Sequence, residues 1–328
     1  MIVVTGGAGF LGSNLIAALN ARGRHEVVVV DRLGQGGKWR NLAKRELAGL
    51  IEPGELFGFL DARAPEIETV FHLGAISSTT ETDVDLIVQS NFALSLKLWE
   101  WCCWRGTRLV YASSAATYGD GAAGFDDALD LEALARLRPL NAYGWSKHLF
   151  DRRVARLVAE GAPTPPQWAG LKFFNVYGPN EYHKGDQQSV VAQLYPKLAA
   201  GAPAVLFRSH RSDIADGAQA RDFVWVGDCV AVMLWLYDNP AVSGLFNVGS
   251  GTARSFKDLA TALFGALGKP PRIEYVDTPP AIRDKYQYFT EARLDRLRAA
   301  GYDGQMVPLE DGVRRYVAEF LTRDDRYR

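Results

Sequence analysis

Thr5-Gly6-Gly7-Ala8-Gly9-Phe10-Leu11-Gly12-Ser13-Asn14-Leu15-Ile16 follows the apolar run Ile2-Val3-Val4 and leads into periodic apolar positions at Leu15, Ile16 and Leu19. This order predicts a strand, a glycine turn and a helix, one directly after another. Glycines at 6, 9 and 12 remove the Cβ atoms that would keep a pyrophosphate off the helix N-terminus. Unpaired N–H groups and the positive end of the helix dipole then face the ligand's negative charge. The spacing is one residue away from the commonest dinucleotide fingerprint. A glycine turn by itself is also an ordinary connecting loop; its placement between strand and helix favours nucleotide binding.

The next segment agrees. His25-Glu26-Val27-Val28-Val29-Val30 reads as a buried parallel strand and ends in Asp31-Arg32. An acidic residue about twenty positions after the glycines is where a dinucleotide fold meets the adenosine ribose. A carboxylate there favours NAD, because it accepts from the 2′-hydroxyl. Arg32, Lys38 and Arg40 follow closely and would instead neutralise a 2′-phosphate, or else form a solvated basic loop. The reading taken is NADP, with NAD the alternative.

The 328 residues are 48% hydrophobic, enough for one large or two ordinary domains with a real core. A net charge of −1 gives no polybasic patch for nucleic acid or a membrane surface. Three cysteines, Cys102 and Cys103 adjacent, cannot build a disulfide framework and match no common metal spacing. They fall in Leu98-Trp99-Glu100-Trp101-Cys102-Cys103-Trp104, read as a packed helix ended by Gly106. With no transmembrane-length apolar run and a strand beginning at Ile2, the expectation is a soluble cytoplasmic protein.

Strand candidates are Ile2–Thr5, Val27–Asp31, Thr69–Leu73, Arg108–Ser113 and Leu171–Phe174, with helices near Ser13–Arg22, Asp83–Trp104 and Asn141–Ala159. Their alternation predicts an α/β fold, a doubly wound parallel sheet with helices on both faces. Residues 1–175 are read as a dinucleotide-binding domain, to which the chain returns near 212–250, with strand segments at Arg221–Asp228 and Leu245–Gly249. Residues 176–328 are read as a smaller, mainly substrate-binding domain of mixed α/β character. Gly217-Ala218-Gln219, inside the polar segment Ser209–Ala220, reads as a mobile loop.

Two further motifs carry chemistry. The strand at Arg108–Ser113 runs into Ser114, which places that hydroxyl where ligands gather outside the carboxyl ends of parallel strands. Asn141-Ala142-Tyr143-Gly144-Trp145-Ser146-Lys147 opens a helix with Tyr143 and Lys147 four apart, on one face. Tyrosine ordinarily ionises near pH ~10. A nearby ammonium and an oxidised nicotinamide both favour phenolate, so Tyr143 is the expected general base near neutrality. Ser114 would hold the substrate hydroxyl and Lys147 the nicotinamide ribose. Read singly, these are an amphipathic core tyrosine and a surface lysine; the combination with the glycine turn is what argues for chemistry.

These residues resemble the extended short-chain dehydrogenase/reductase family, with its Thr-Gly-x-x-Gly-x-x-Gly turn and Tyr-x-x-x-Lys pair. Asn175-Val176-Tyr177-Gly178-Pro179, Arg221-Asp222-Phe223-Val224 and Phe246-Asn247-Val248-Gly249-Ser250-Gly251 extend the likeness over nearly the whole chain. Within the family the chain is similar to epimerases of an ADP-linked heptose, on the strength of His72 to Glu81, Tyr111 to Gly119 and His183-Lys184-Gly185. Tyr286-Gln287-Tyr288-Phe289-Thr290 and Leu297-Arg298-Ala299-Ala300-Gly301-Tyr302 carry the resemblance toward the C-terminus.

The resemblance implies a Rossmann-type fold and inversion at C6 of the heptose in ADP-D-glycero-D-manno-heptose. A carbon bearing H and OH is inverted by lending its hydride to a nicotinamide, presenting the other ketone face and taking the hydride back, with no net redox change. One acid/base group reaches only one side of that ketone, and the resemblance supplies a second in Lys184. An amine beside a cationic nicotinamide is easier to deprotonate than a free lysine. The resemblance also implies a lipopolysaccharide inner-core precursor pathway, a Gram-negative source and a homo-oligomer, a pentamer in many members. Trp99, Trp101 and Trp104 are the aromatic residues here that would support assembly, or else they belong to the core.

Carried over residue by residue, Gly6, Gly9, Phe10, Leu11, Gly12, Asp31, Arg32 and Lys38 match cofactor-lining positions. So do Leu73, Gly74, Ala75, Ile76, Ser77, Asn91, Lys147, Val176 and Lys184. Ser114, Asn175 and Arg221 match substrate contacts, with the arginine suited to a pyrophosphate, and Phe207, Arg208, Ser209, His210 and Tyr286 match the region around the nucleotide. Pro53 stands where related enzymes can carry a lysine near the cofactor phosphate, which weakens the case for NADP. In the substrate loop Asp186 and Gln193 replace a small polar residue and a histidine, and the segment between Phe207 and Arg221 is longer than usual. A dehydratase of the same family would need an acid pair after Ser114, where Ala115-Ala116 stand. A UDP- or GDP-hexose epimerase and a non-enzymatic nucleotide binder compete with the heptose reading as well. The full set Ser114, Tyr143 and Lys147 argues against the binder.

Overall fold

The computed structural model describes residues 1–279, 283 and 287–328. Six strands come first along the chain: β1 (Ile2–Thr5), β2 (Val27–Val30), β3 (Gly49–Ile51), β4 (Thr69–His72), β5 (Arg108–Ser114) and β6 (Trp168–Phe173). Six more follow: β7 (Asn175–Tyr177), β8 (Ala204–Phe207), β9 (Ala220–Trp225), β10 (Gly244–Val248), β11 (Ala253–Ser255) and β12 (Ile273–Val276). Seven of them form one sheet in the order β10-β6-β5-β4-β1-β2-β3, every neighbouring pair parallel. Helices cover both faces, so β1, β2, β4 and β6 are buried along their whole length and read as near-continuous apolar runs.

The chain winds outward from β1 through β2 to β3, then crosses to β4 on the other side of β1. This reversal opens a crevice at the carboxyl ends of β1 and β4, the switch point where open α/β sheets bind ligands. His72 ties the two strands together. It shares a hydrogen bond of 2.7 Å with Thr5 Oγ1 through Nδ1 and one of 2.9 Å with Ser95 Oγ through Nε2.

Two sequence expectations need correction here. The segment 221–228 does not rejoin the large sheet. Its strand β9 is the middle of a three-stranded sheet, β11-β9-β7, and the following helix, Val226–Asp238, packs on the helix Phe10–Ala21. An apolar strand says that it is buried, but its partners decide where. The strand near Leu245 does return, as the edge strand β10 beside β6. The loop at Gly217–Gln219 is tied down: Gly217 O accepts from Lys257 N (3.1 Å), Gln219 O from Phe256 N (3.1 Å), and Gln219 Nε2 donates to Phe207 O (3.3 Å).

The long helical stretch after Asp83 has a π-helical turn, Val88–Ala93, between Val84–Ile87 and Leu94–Arg105, and that turn carries Asn91 into the interior. Gly106, in left-handed conformation at φ 67°, ends it as expected. Trp99 and Trp101 are 1% and 6% exposed and belong to the core with Trp168 and Phe150, whereas Trp104 is 77% exposed. Two of the three tryptophans considered for assembly are therefore core residues. Among the described residues, no helix is long and apolar enough to cross a membrane.

Candidate active site

The helix Phe10–Ala21 starts at Gly9 with no side-chain cap, leaving its first N–H groups open to a ligand. Gly6 takes φ 68°, and a Cβ there would lie 2.6 Å from Gly74 Cα; one at Gly12 would lie 2.3 Å from Gly6 O. Backbone therefore packs on backbone at this turn, which only glycine permits.

A cleft of about 300 Å³ opens in front of it. Gly6, Gly9, Phe10, Leu11, Gly12, Asp31, Lys38, Leu73, Gly74, Ala75, Ser77, Ser114, Tyr143, Lys147, Val176 and Lys184 all line it. The loops that leave the carboxyl ends of parallel strands converge there, so residues far apart in sequence share one wall.

Asp31 follows β2 with both carboxylate oxygens hydrogen-bonded. Oδ2 accepts from Ala8 N (2.9 Å), and Oδ1 from Arg32 N (2.7 Å) and Lys38 Nζ (2.6 Å). The acid read as a ribose acceptor thus holds the glycine turn and carries its own counter-charge. Arg32 and Ile76 line an adjoining cavity of about 390 Å³, together with Pro53, Gly54 and Gln89. Asn91 reaches neither cavity. It brackets Ile76 from behind, accepting from Ile76 N (2.8 Å) and donating to Ile76 O (2.9 Å) and Ser146 Oγ (3.0 Å).

Asn141 caps the helix Ala142–Ala159 by accepting from Gly144 N (2.8 Å). Gly144 lets that helix lie against the turn after Ser114, since a Cβ there would sit 2.6 Å from Ala116 O. Burial raises the Tyr143 phenol above 10; the Ser114 hydrogen bond opposes this and the Asp151 charge adds to it. Lys147 donates from Nζ to Ala112 O at 2.8 Å, and burial lowers it to about 8 against the pull of Asp151. Within the protein's own groups, burial outweighs the contacts that favour phenolate, so lowering the phenol toward neutrality falls to the charge of a bound oxidised nicotinamide.

Lys184 lies in the turn Tyr182–Gln187, its ammonium 5.5 Å from the centre of the Phe10 ring. Burial lowers its pKa, and nearby Glu181 pulls the other way. Glu181 is buried and shapes the turn by accepting from both Ser189 N and Oγ, from Gly178 N (3.3 Å) and from Tyr316 OH (3.1 Å). His183, read only as context for Lys184, also lines the cleft, and burial lowers its pKa to about 4. It lies 3.2 Å from Asn41 Nδ2, which donates to Ala8 O (2.9 Å) and Asn180 O (3.0 Å) and so joins the glycine turn to the Lys184 loop. Nothing local in the sequence marks Asn41. Phe173 and Phe174, both buried, complete the wall, and their apolar strand context gave no hint of it.

Of the substrate candidates among the described residues, only Ser114 lines the cleft. Asn175, Asp186 and Gln193 are exposed, and Gln193 spends its amide on Asp186 O (3.1 Å) and Gln188 O (2.7 Å). Phe207 is half-buried, and Arg208 lies 3.6 Å from Asp277 and 3.9 Å from Asp216. Ser209 N donates to Asp216 (2.8 Å), while His210 Nε2 accepts from Thr278 N (3.2 Å). Arg221 is buried over the Phe256 ring at 5.6 Å. Tyr286 lies outside the described residues.

The model of the NAD dependent epimerase/dehydratase family matches residues 2–249. Over 332 aligned residues, 100% of both chains, the protein is 47% identical to the ADP-L-glycero-D-manno-heptose-6-epimerase of Nitratidesulfovibrio vulgaris (strain DP4). It is 42% identical, again over 100% of both chains, to the enzyme of the same name from Fusobacterium nucleatum subsp. nucleatum. Among solved structures, the Helicobacter pylori enzyme of that name superposes with a TM-score of 0.77 at 27% identity, covering 97% of this chain and 95% of that one. The Thermus thermophilus UDP-glucose 4-epimerase, solved with NAD, gives 0.74 at 27% identity over 96% and 97%.

Proposed function

This chain belongs to the NAD dependent epimerase/dehydratase family, and from that premise we propose that it converts ADP-D-glycero-D-manno-heptose to ADP-L-glycero-D-manno-heptose by inverting C6. The observation that carries the chemistry is the convergence of Ser114, Tyr143, Lys147 and Lys184 on one cleft in front of an uncapped helix N-terminus. The full-length likeness to heptose epimerases carries the substrate.

The glycine turn, with its close backbone packing and open N–H groups, fits a dinucleotide pyrophosphate. When bound, a nicotinamide dinucleotide supplies the acceptor and donor of hydride and a positive charge beside the acid/base groups. Ser114 holds the C6 hydroxyl in line with Tyr143, whose oxygen takes the hydroxyl proton. Lys147 anchors the helix on Ala112 O and would hold the nicotinamide ribose. Lys184, on the loop of the second lobe, exchanges the proton when the other ketone face is presented. Residues 1–175 hold the cofactor in this reading, and 176–328 mainly cover the substrate, with Asn175 and Arg221 as substrate contacts and Phe207–His210 around the nucleotide. Ala115 and Ala116 cannot move a proton, which disfavours the dehydratase alternative.

We take NADP as the cofactor, with NAD the alternative. Asp31 has most of its acceptor capacity spent inside the protein, Lys38 neutralises it, and Arg32 stands exposed beside the adjoining cavity. The proposed setting is the cytoplasm, the proposed product a lipopolysaccharide inner-core precursor, and the proposed assembly a homo-oligomer, a pentamer by resemblance. Incubation with ADP-D-glycero-D-manno-heptose, without added oxidant or reductant, tests the central reading. Inversion at C6 seen by NMR supports it; exclusive conversion of another nucleotide sugar overturns the substrate, and no conversion of any overturns the activity.

A further inference from the structure

Behind the cleft lies a charged pair that the chemistry above does not use. Asp151 and Lys172 are both 0% exposed, with Lys172 Nζ 2.8 Å from Asp151 Oδ2. Burying two ions is costly, and apolar residues of like volume often serve stability as well or better. Stability alone therefore does not account for the pair, but its connections do suggest a role.

Asp151 is on the helix of Tyr143 and Lys147, one turn beyond Lys147 and two beyond Tyr143. Its Oδ2 also accepts from Ser113 Oγ (2.7 Å), the residue next to Ser114 at the end of β5. Lys172, on β6, donates to Thr117 Oγ1 (2.7 Å), and Thr117 in turn donates to Ser114 O (2.8 Å). The ammonium further lies 4.8 Å from the centre of the Tyr118 ring. One buried pair thus grips the strand end on both sides of Ser114 and fastens it to the helix of the Tyr–Lys motif. Asp151 Oδ1 is buried and accepts no hydrogen bond from the described residues, so its charge is only partly answered locally.

We propose that Asp151 and Lys172 are positioning residues, which fix Ser114 against the helix of Tyr143 and Lys147 and set a negative charge behind both side chains. The proposal rests on the epimerase reading for its consequences in turnover, but its geometry is independent of the sugar. The groups facing Asp151 are Tyr143, Lys147 and His148 on its own helix, Tyr111 on β5, Tyr118 in the turn after it, and Lys172 on β6. The carboxylate raises the pKa of both Tyr143 and Lys147. The negative charge adds to burial in opposing ionisation of the phenol and, against burial, favours the charged amine.

The test is the Tyr143 titration in cofactor-loaded protein, read as the phenolate absorbance lost on Tyr143→Phe, in native and Asp151→Asn backgrounds. The transition should move down by about one pH unit in Asp151→Asn. Because that variant leaves Lys172 without its counter-charge and can unfold, Asp151→Asn/Lys172→Gln, which buries no charge, carries the same test, with a smaller downward shift expected because the Lys172 cation is lost as well. In turnover, kcat should fall with KM little changed, and the acid limb of its pH profile should move the same way. A Tyr143 transition that stays in place in a folded variant overturns the proposal whatever the substrate is. An unshifted native transition with no turnover of the heptose counts against the epimerase reading instead.

Discussion

Lys38 Nζ and Asp31 Oδ1 lie 2.6 Å apart at the end of β2, so the acid at the ribose position of the fold already has a cation of its own. If this pair is what admits a 2′-phosphate, Lys38→Met should leave the carboxylate without its cation, so that it repels the phosphate. NADPH affinity should fall about tenfold relative to NADH, about 1.4 kcal/mol of discrimination. Fluorescence titration with both cofactors checks this, and equal losses for the two would count against the NADP reading.

Gly12→Ala should be more damaging to cofactor binding than to folding. Its Cβ would sit 2.3 Å from Gly6 O and 2.7 Å from Gly7 Cα, so the turn itself must move. The turn is where the pyrophosphate is expected, and cofactor affinity should drop at least tenfold. Loss of absorbance near ~340 nm from the purified reduced holoprotein, at unchanged circular dichroism, is the expected result. Full cofactor content in the variant would place the dinucleotide elsewhere.

Tyr143→Phe and Lys184→Ala separate the two proposed acid/base groups. Each should lower epimerisation by about 10²–10⁴-fold while cofactor binding is kept. Turnover in Lys184→Ala equal to that of the native enzyme would remove Lys184 from the chemistry, whatever Tyr143→Phe does. Partial-reaction assays with a ketone analogue then show which side has lost its proton donor.

The large sheet was legible because its strands are buried on both faces: Val27 to Val30 is a continuous β-branched run bounded by polar residues. β3 was not, since an edge strand of three residues, Gly49–Ile51, has neither length nor alternation to mark it. Residues at the ends of β1, β4 and β5 reached the cleft because parallel topology aims those ends at one crevice. The Asp31–Lys38 pair was beyond reach for a different reason: it depends on how the 3-10 turn Gly37–Asn41 brings Lys38 back over β2. Asn91 shows the same limit. Its inward direction is set by a π turn, which no periodicity in the sequence records.

Acid stability should depend on His72. Burial lowers its pKa to about 3, so it is neutral in the folded protein where an unfolded histidine, near ~6.5, takes up a proton. The unfolded state therefore binds more protons between those values, and this group's contribution is full above about pH 6.5 and lost as pH falls toward 3. Asp127 and Asp228, raised to about 6 by burial, act in the opposite direction over part of the same range. The comparison is thus made between proteins: His72→Gln should be less stable at pH 7, with a shallower decline toward acid in urea unfolding. Parallel curves would show that His72 is not the titrating group.

Trp99 and Trp104 stand five residues apart on one helix and should respond very unequally to truncation. Trp99 packs at ring-centroid distances of 5.4 Å on Trp168 and 6.5 Å on Phe150, inside the core. Trp99→Ala should cost about 3–5 kcal/mol in urea unfolding, since the cavity it leaves is walled by a sheet and two helices. Trp104 is exposed, with the Arg105 guanidinium 4.5 Å from its ring centre. Trp104→Ala should leave monomer stability within about 0.5 kcal/mol. It is then the tryptophan of this helix that can report on assembly: if it lies in a subunit contact, its removal should lower the mass seen by sedimentation without unfolding the chain. An unchanged mass would place any subunit contact elsewhere on the surface.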